Sequence, residues 1–522
     1  MSNTPIISKA FLEHARANFL AEDQQESFIA ACCSPLRKSI RVNTLKISVA
    51  EFQLRADALG LALTPIPWCK EGFWVSESNS QFQSSSTTEN PGISSVRNNK
   101  QNEQPEPLTL GNLTSHLQGL FYIQEASSML PPQALFADLN SNQPLRVLDL
   151  AAAPGSKTTQ MAALMANTGL LLANEISASR VKSLHANILR CGVSNTCLSQ
   201  FDGRKLGPRL AGQFDLVLLD APCGGEGTIR KDPKALEDWQ LSKVEEIAEL
   251  QKQLILTAYQ CLKPGGRLVY STCTLSPEEN QQVANYLTTS TTAKVVNLDH
   301  LFEQAQRAIT PEGYLHIQPQ IFDSEGFFVS AFVKPMGSEE LGQQSMVSSK
   351  KTKKNKGKSS QKWTPSFIPL ERKLKNRLTD YLQNHFGIKQ HKINGEIQLK
   401  DKQVWLLPKG SSELNQLVRL NRSGIKLAEI YPNKIRTHHE FAMALESCFS
   451  RQKLEVEREQ AEGVYQGKNI DLKDNQREDY DLKDGEVLLT YQGYAIGLAS
   501  LNRNKLKNLL PRDLVKDSIK LN

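Results

Sequence analysis

The chain lacks any Cys-x-x-Cys pair and any cysteine/histidine cluster at zinc-ligand spacing, although it carries nine cysteines in 522 residues. That pattern gives no disulfide framework and no structural metal, so reduced thiols and no bound metal are expected. No stretch approaches the roughly 18 consecutive apolar residues of a membrane span. The opening MSNTPIISKAFLEHARANFL lacks the basic-then-apolar order of a secretory signal. A cytoplasmic location, away from membranes, is the expectation. Internal repeats are absent, as is a G-x-G-x-x-G dinucleotide fingerprint. A Walker-type phosphate loop is excluded too, because Ser156 rather than glycine precedes Lys157. What remains is a long chain with 39% apolar residues, enough for two or three separate cores. Its net charge of +7 suits a polyanionic partner without requiring one.

Two interruptions divide the chain. From Ser76 to Pro107 the sequence is rich in Ser, Asn and Gln and too poor in apolar residues to offset its ordering entropy, so a disordered insertion is expected. From Gly337 to Lys362 a second polar stretch ends in Lys350, Lys351, Lys353, Lys354, Lys356 and Lys358, which reads as a solvated linker able to meet phosphates. The expected units are residues 1–135, 136–336, the linker 337–362, and an extension over 363–522. Within the second unit, LRVLDL, LLANE, FDLVLLD and GRLVYSTCT alternate with helical patterns such as SASRVKSLHANILRCG. That order predicts an α/β fold: an open, largely parallel sheet with helices on both faces and a ligand crevice at the strands' carboxyl ends.

The unusual residues fall at those ends. After LRVLDL, the small residues Ala151, Ala152, Ala153, Pro154 and Gly155, followed by Ser156 and Lys157, let backbone approach a ligand closely at a helix N-terminus. Glu175, 20 residues past Gly155, stands where an acid would meet ribose hydroxyls. A nucleoside cofactor without a pyrophosphate satisfies both features. Asp202, in SQFDGR, is either a turn former or an acceptor for an adenine amino group. Two more strand ends carry thiols: Asp220-Ala-Pro-Cys223 and Ser271-Thr-Cys273. A buried cysteine is usually a small hydrophobe. Two of them at neighbouring strand ends, beside acidic groups, point to one substrate.

The order DLAAAPGSKT, LLANE, FDG, LLDAPCGGEGTIRKDP, LKPGGRLVYSTCTLSPEEN and EGFFVSAFVK resembles the bacterial rRNA cytosine-5 methyltransferases of the NOL/NOP/Sun group. Upstream, SIRVNTL and GLFYIQEASSM are similar to that group's N-terminal motifs. The segment GEVLLTYQGYAIGLASLNRNKLKNLLPRDLV is similar to a PUA-type RNA-binding module. Gly224 departs from the group, which more often has Ser after Pro-Cys.

The resemblance implies a Rossmann-like class I S-adenosylmethionine-dependent methyltransferase domain. An N-terminal RNA-binding α+β region would precede it, and a C-terminal PUA-like β-rich extension would follow. It implies 16S rRNA as partner, with cytidine 1407 in the assembled 30S subunit as target and no obligate protein partner. Residues 151–157 would hold the methionyl and ribose portions of the cofactor, Glu175 the ribose hydroxyls and Asp202 the adenine. Asp220 would lie between cofactor and base and, if protonated, stabilise charge on the ring. Cys273 would be the nucleophile and Cys223 the residue that assists product release. Read from the residues alone, Arg230, Lys231 and Lys234, which follow Cys223, are either phosphate contacts or unspecific surface cations. A non-catalytic RNA-binding assembly factor and methylation of another rRNA or tRNA cytidine are the competing readings.

Overall fold

The computed structural model describes residues 5–77, 109–139, 143–337, 366–473, 475–519 and 521. The expected insertion, from residue 78 on, and the lysine run lie outside the described residues. Ser76 and Glu77 belong instead to a strand, Cys69–Glu77, paired with Leu61–Ile66.

The central unit is an eight-stranded sheet. Its strands are β1 (Arg146–Asp149), β2 (Leu170–Asn174), β3 (Thr196–Ser199), β4 (Phe214–Asp220), β5 (Leu262–Thr272), β6 (Lys294–Val296), β7 (Leu315–Ile317) and β8 (Phe327–Val333). Their order is β6-β8-β5-β4-β1-β2-β3, with β7 on β8. The strands from β5 through β4, β1 and β2 to β3 run parallel, and β8 returns antiparallel on β5. Alternation explains the apolar run of β4, since Leu216 and Leu218 enter one core while Val217 and Leu219 enter the other. Helix α1 (Ser156–Leu164) and helix α2 (Ala178–Arg190) cover the first face, and α3 (Leu241–Cys261) covers the second.

Two further regions close around this sheet. Residues 420–424 run antiparallel along the β3 edge: Asn421 N–H donates to Leu198 O at 2.8 Å, and Gly424 N–H to Thr196 O at 2.7 Å. An exposed edge strand invites pairing with other chains, and here the chain's own extension occupies it. The same extension sends Phe367, Trp405, Leu414 and Leu420 into the core under β4. It continues as two five-stranded sheets. The last of these touches the N-terminal region, where Gln118 Nε2 donates to Tyr491 O at 2.7 Å and Tyr494 Oη to Glu51 Oε1 at 2.8 Å.

From the N-terminal four-stranded antiparallel sheet, Arg41 reaches the start of α1 beside the cofactor side. Arg41 is fully buried, and its guanidinium donates to Gln124 Oε1, to Ser156 O at 2.8 Å and to Thr159 Oγ1 at 2.9 Å. Burial lowers its pKa. Three acceptors, Gln124 on one segment and Ser156 and Thr159 in the first turn of α1, would lose a donor without it, at about 1–3 kcal/mol for each buried polar group left unpaired. Arg41→Ala is therefore expected to lose about 3 kcal/mol or more of stability. It should also loosen the first turn of α1, which denaturant melts and S-adenosylmethionine titration would register together.

Candidate active site

A cleft of about 660 Å³ opens at the carboxyl ends of the parallel strands. Asp149, Glu175, Asp202, Asp220, Cys223 and Cys273 all line it, together with Ala151–Pro154, Ser156 and Lys157. Gly155, the remaining residue of the expected set, sits beneath and begins α1 with φ +105°. A Cβ there would stand 2.9 Å from Leu184 Cδ1, so this turn requires glycine on both counts.

One end of the cleft is acidic, with Asp149 and Glu175 almost fully buried. Asp149, the last residue of β1, accepts from Thr158 Oγ1 at 2.6 Å, while its Oδ1 is buried with no hydrogen-bond partner. Burial pushes this carboxyl up to about 7. Glu175 is 2% exposed; its Oε1 accepts from Ser177 N at 2.9 Å, and Arg180 stands 3.6 Å from its Oε2. Asp202 caps the turn over Gly203–Lys205 by accepting from Arg204 N at 3.1 Å, and the Arg204 guanidinium holds its carboxyl below the usual range. Both sequence readings of Asp202 meet here, since it forms a turn and lines the cleft.

The other end holds the thiols. Cys223 Sγ and Cys273 Sγ are 3.2 Å apart, well beyond the roughly 2.05 Å of a disulfide. Cys273 lies one residue past β5 rather than within a strand. The Cys223 thiol is pushed well above its ordinary value by its hydrogen bond to Cys273 and by burial.

Two expectations change. Lys157, placed by sequence with the cofactor segment, reaches towards the thiol end, where its ammonium donates to Asp220 Oδ2 at 2.7 Å and to Ser128 Oγ at 2.9 Å. Asp220 Oδ1 also accepts from Ser271 Oγ at 2.8 Å, so both its oxygens are acceptors, Oδ2 in the ion pair with Lys157. The Lys157 ammonium is thus a donor beside Asp220. Arg230 is also no phosphate contact, because it is buried and donates to Ser34 O, Pro35 O, Ser324 O and Asp323 Oδ1. Lys231 and Lys234 are exposed, and Lys231 lines the cleft.

Sequence reasoning missed a further acidic pair in the cleft wall. Glu125 accepts from Ser128 N and Glu325 N, each at 3.1 Å. Burial and the charge of Glu125 push Glu325 up to about 8. The motifs QEASS and EGFF carried both residues, but nothing in their spacing ties positions 125 and 325 together.

Family models match in chain order. The N-terminal domain of 16S rRNA methyltransferase RsmF covers residues 7–92, 16S rRNA methyltransferase RsmB/F covers 136–333, the ribosomal RNA small subunit methyltransferase F pre-PUA domain covers 367–445, and the methyltransferase RsmF PUA domain covers 451–516. Ribosomal RNA small subunit methyltransferase F of Vibrio campbellii is 45% identical over 98% of each chain. The chain belongs to the 16S rRNA methyltransferase RsmB/F family.

It is accordingly an S-adenosylmethionine-dependent rRNA methyltransferase. The protein of the same name from Psychromonas ingrahamii is 42% identical, again over 98% of each chain. Among solved structures, NSun6 from Pyrococcus horikoshii with SFG superposes with TM-score 0.51 at 26% identity, covering 63% of this chain and 98% of that one. A methyltransferase homolog from the same organism gives 0.50 at 30% identity, covering 63% and 95%.

The residues of the acidic end fit the cofactor of this family. Asp149 Oδ1 is an unpartnered acceptor suited to an ammonium, the start of α1 offers free N–H groups to a carboxylate, and Glu175 offers an acceptor to hydroxyls. The cost of the buried Asp149 carboxylate has a pH signature. Its folded pKa, about 7, lies above the ordinary 3.8, so its favourable contribution is complete below 3.8 and is lost as pH rises through about 7. Asp149→Asn should therefore melt higher than the parent near pH 8 in ligand-free protein, with the difference vanishing towards pH 4. A pH series of thermal melts checks this. Cofactor affinity should fall in the same variant.

Proposed function

We propose that this methyltransferase modifies C5 of a cytidine in 16S rRNA through a covalent bond from Cys273 to C6. Cytidine 1407 in the assembled 30S subunit is the target the sequence resemblance implies. The observation that carries the reading is the 3.2 Å contact of two thiols from adjacent strand ends, in the same cleft as the cofactor-type acidic groups. The names of its full-length relatives support the small-subunit substrate.

Residues 151–156, with Asp149, Glu175 and Asp202, would hold S-adenosylmethionine. When bound, it supplies an electrophilic methyl group. C5 of cytosine is a poor nucleophile until sulfur adds at C6. As the Cys273 sulfur bonds C6, the C5–C6 π electrons move towards C4 and N3, and charge develops on the ring. The Lys157 ammonium, ion-paired with Asp220 in the same cleft, would donate there, and Asp220 would accept from an amino group. Losing such a donor typically costs about 100-fold to 1,000-fold in rate. After methylation the C5 proton leaves, its bonding pair re-forms the C5–C6 double bond, and the C6–S pair returns to Cys273. Cys223, 3.2 Å from Cys273, is the adjacent group that assists this elimination.

The base has to leave its stack to reach the thiols, as in other enzymes acting on a nucleobase. Cys273→Ala should abolish methylation, by about 1,000-fold or more, while S-adenosylmethionine affinity is retained. Radiolabelled methyl transfer to unmodified 30S subunits, followed by base mapping, measures both activity and position. Cofactor binding with no transfer to any RNA would instead indicate an assembly factor.

Cys223→Ala should form the Cys273 adduct and fail to resolve it. A slow protein–RNA band is expected on denaturing gels, and it should vanish in the Cys223→Ala/Cys273→Ala double variant. Normal turnover by Cys223→Ala would remove its release role alone. A band surviving in the double variant would overturn the nucleophile.

A further inference from the structure

Two buried glutamates that do not line the cleft tie the two thiol loops together, each from the opposite loop. Glu279, six residues past Cys273, accepts from Gly224 N at 3.0 and 3.2 Å. It also accepts from Gln251 Nε2 at 2.6 Å, and the same Nε2 lies 2.9 Å from Pro222 O. The residues on either side of Cys223 are thus held by the Cys273 loop. Glu226, three residues past Cys223, accepts from Leu275 N at 2.9 Å, Ser276 N at 2.8 Å and Ser276 Oγ at 2.6 Å. Trp239 Nε1 donates to it at 2.6 Å. Next to it, Gly227 N donates to Cys273 O at 3.0 Å. The residues that follow Cys273 are thus held by the Cys223 loop.

Both carboxyls are almost completely enclosed, at 0% and 1% exposure. Burying two acids next to each other is unfavourable unless several donors meet each one, which is what the loops provide. The absence of a side chain at residue 224 belongs to the same arrangement, since a Cβ there would stand 2.8 Å from Glu279 Oε1. Removing either carboxyl frees backbone donors on the other loop and lets its thiol drift. In reactions that depend on near-attack geometry, shifts of about 1 Å cost on the order of 100-fold.

We propose that Glu279 and Glu226 are cross-wired positioning residues, Glu279 setting Cys223 for product release and Glu226 setting Cys273 for attack. This rests on the roles given to the two thiols above. Charge reinforces the assignment, because Glu279 is among the groups that raise the Cys223 thiol. Glu279 is itself pushed up to about 7 by burial.

The division predicts opposite kinetic phenotypes, which a general loosening of the fold would not produce. The probe is unmodified 30S subunits with S-adenosylmethionine, using full-length Glu279→Gln, Glu279→Ala, Glu226→Gln and Glu226→Ala beside Cys223→Ala. Glu279→Ala should attack at close to the parental rate and accumulate at least about tenfold more covalent protein–RNA species at steady state, with Glu279→Gln intermediate. Glu226→Ala should form the adduct at least about tenfold more slowly and accumulate none, again with the Gln variant between. Cofactor affinity within twofold of the parent identifies folded protein, and the Gln variants retain an acceptor in case the Ala variants do not fold. Equal loss of attack in both series, or parental turnover in either Ala variant, would overturn the proposal. If Cys223→Ala itself accumulates no adduct, the release role fails first; if it does and Glu279→Ala does not, the cross-wiring alone is wrong.

Discussion

The parallel pairing of β4 with β5, in the register that sets Asp220 opposite Ser271, is the constraint on which the site depends. Both strands end at the same height, so the loops that follow leave the sheet side by side and carry Cys223 and Cys273 into one cleft. The same register joins Ser271 Oγ to Asp220 and so fixes the acceptor of Lys157. A slip of one residue would turn every side chain of β5 to the other face. The two cores that sandwich the sheet oppose that slip, since Val269 and Leu268 are each fully buried on opposite sides.

On this frame the protein places an unusual density of enclosed acids: Asp149, Glu125, Glu325, Glu226 and Glu279. Burial raises the pKa of four of them, Asp149 to about 7, Glu279 to about 7, Glu325 to about 8, and Glu125 above the usual carboxylate range. Such groups weaken a fold unless donors surround them. Those at the thiol loops are surrounded, and they brace. Asp149 keeps one oxygen without a partner, which is the signature expected of an acid that waits for a ligand.

The extension past residue 366 does more than add a module at the end of the chain. It covers the edge of the catalytic sheet and supplies apolar side chains to the core beneath it. Its last sheet returns to the N-terminal region through Gln118 and Tyr494. The segment beside β3 is hydrogen-bonded to the strand that precedes Asp202, which ties the extension to the catalytic sheet. Removing the extension as a block would take Phe367, Trp405, Leu414 and Leu420 out of the core they share with the sheet, so its part in RNA binding is better probed by surface substitutions.

Much of this was legible in the residues alone. Short apolar runs ending in acids or in Pro-Cys and Thr-Cys gave the parallel sheet and the carboxyl-end crevice, because strand length, turn chemistry and helical periodicity are local properties. Motif order gave the family, and with it the cofactor and the candidate roles of Cys273 and Cys223. Other features depended on contacts between distant segments. Lys157 could be read as a cofactor contact from its place beside Gly155, but the direction of its side chain depends on Asp220, which lies 63 residues away. Arg230 looked like a surface cation until its carbonyl partners at 34, 35 and 324 enclosed it. The cross-bracing by Glu226 and Glu279 was equally invisible, since buried hydrogen bonds between loops leave no periodic trace. The sequence by itself determined which strands form and what chemistry stands at their ends. Only the tertiary structure decided which charges face one another, because a hydrogen bond between distant residues exists only once the sheet has brought their loops together.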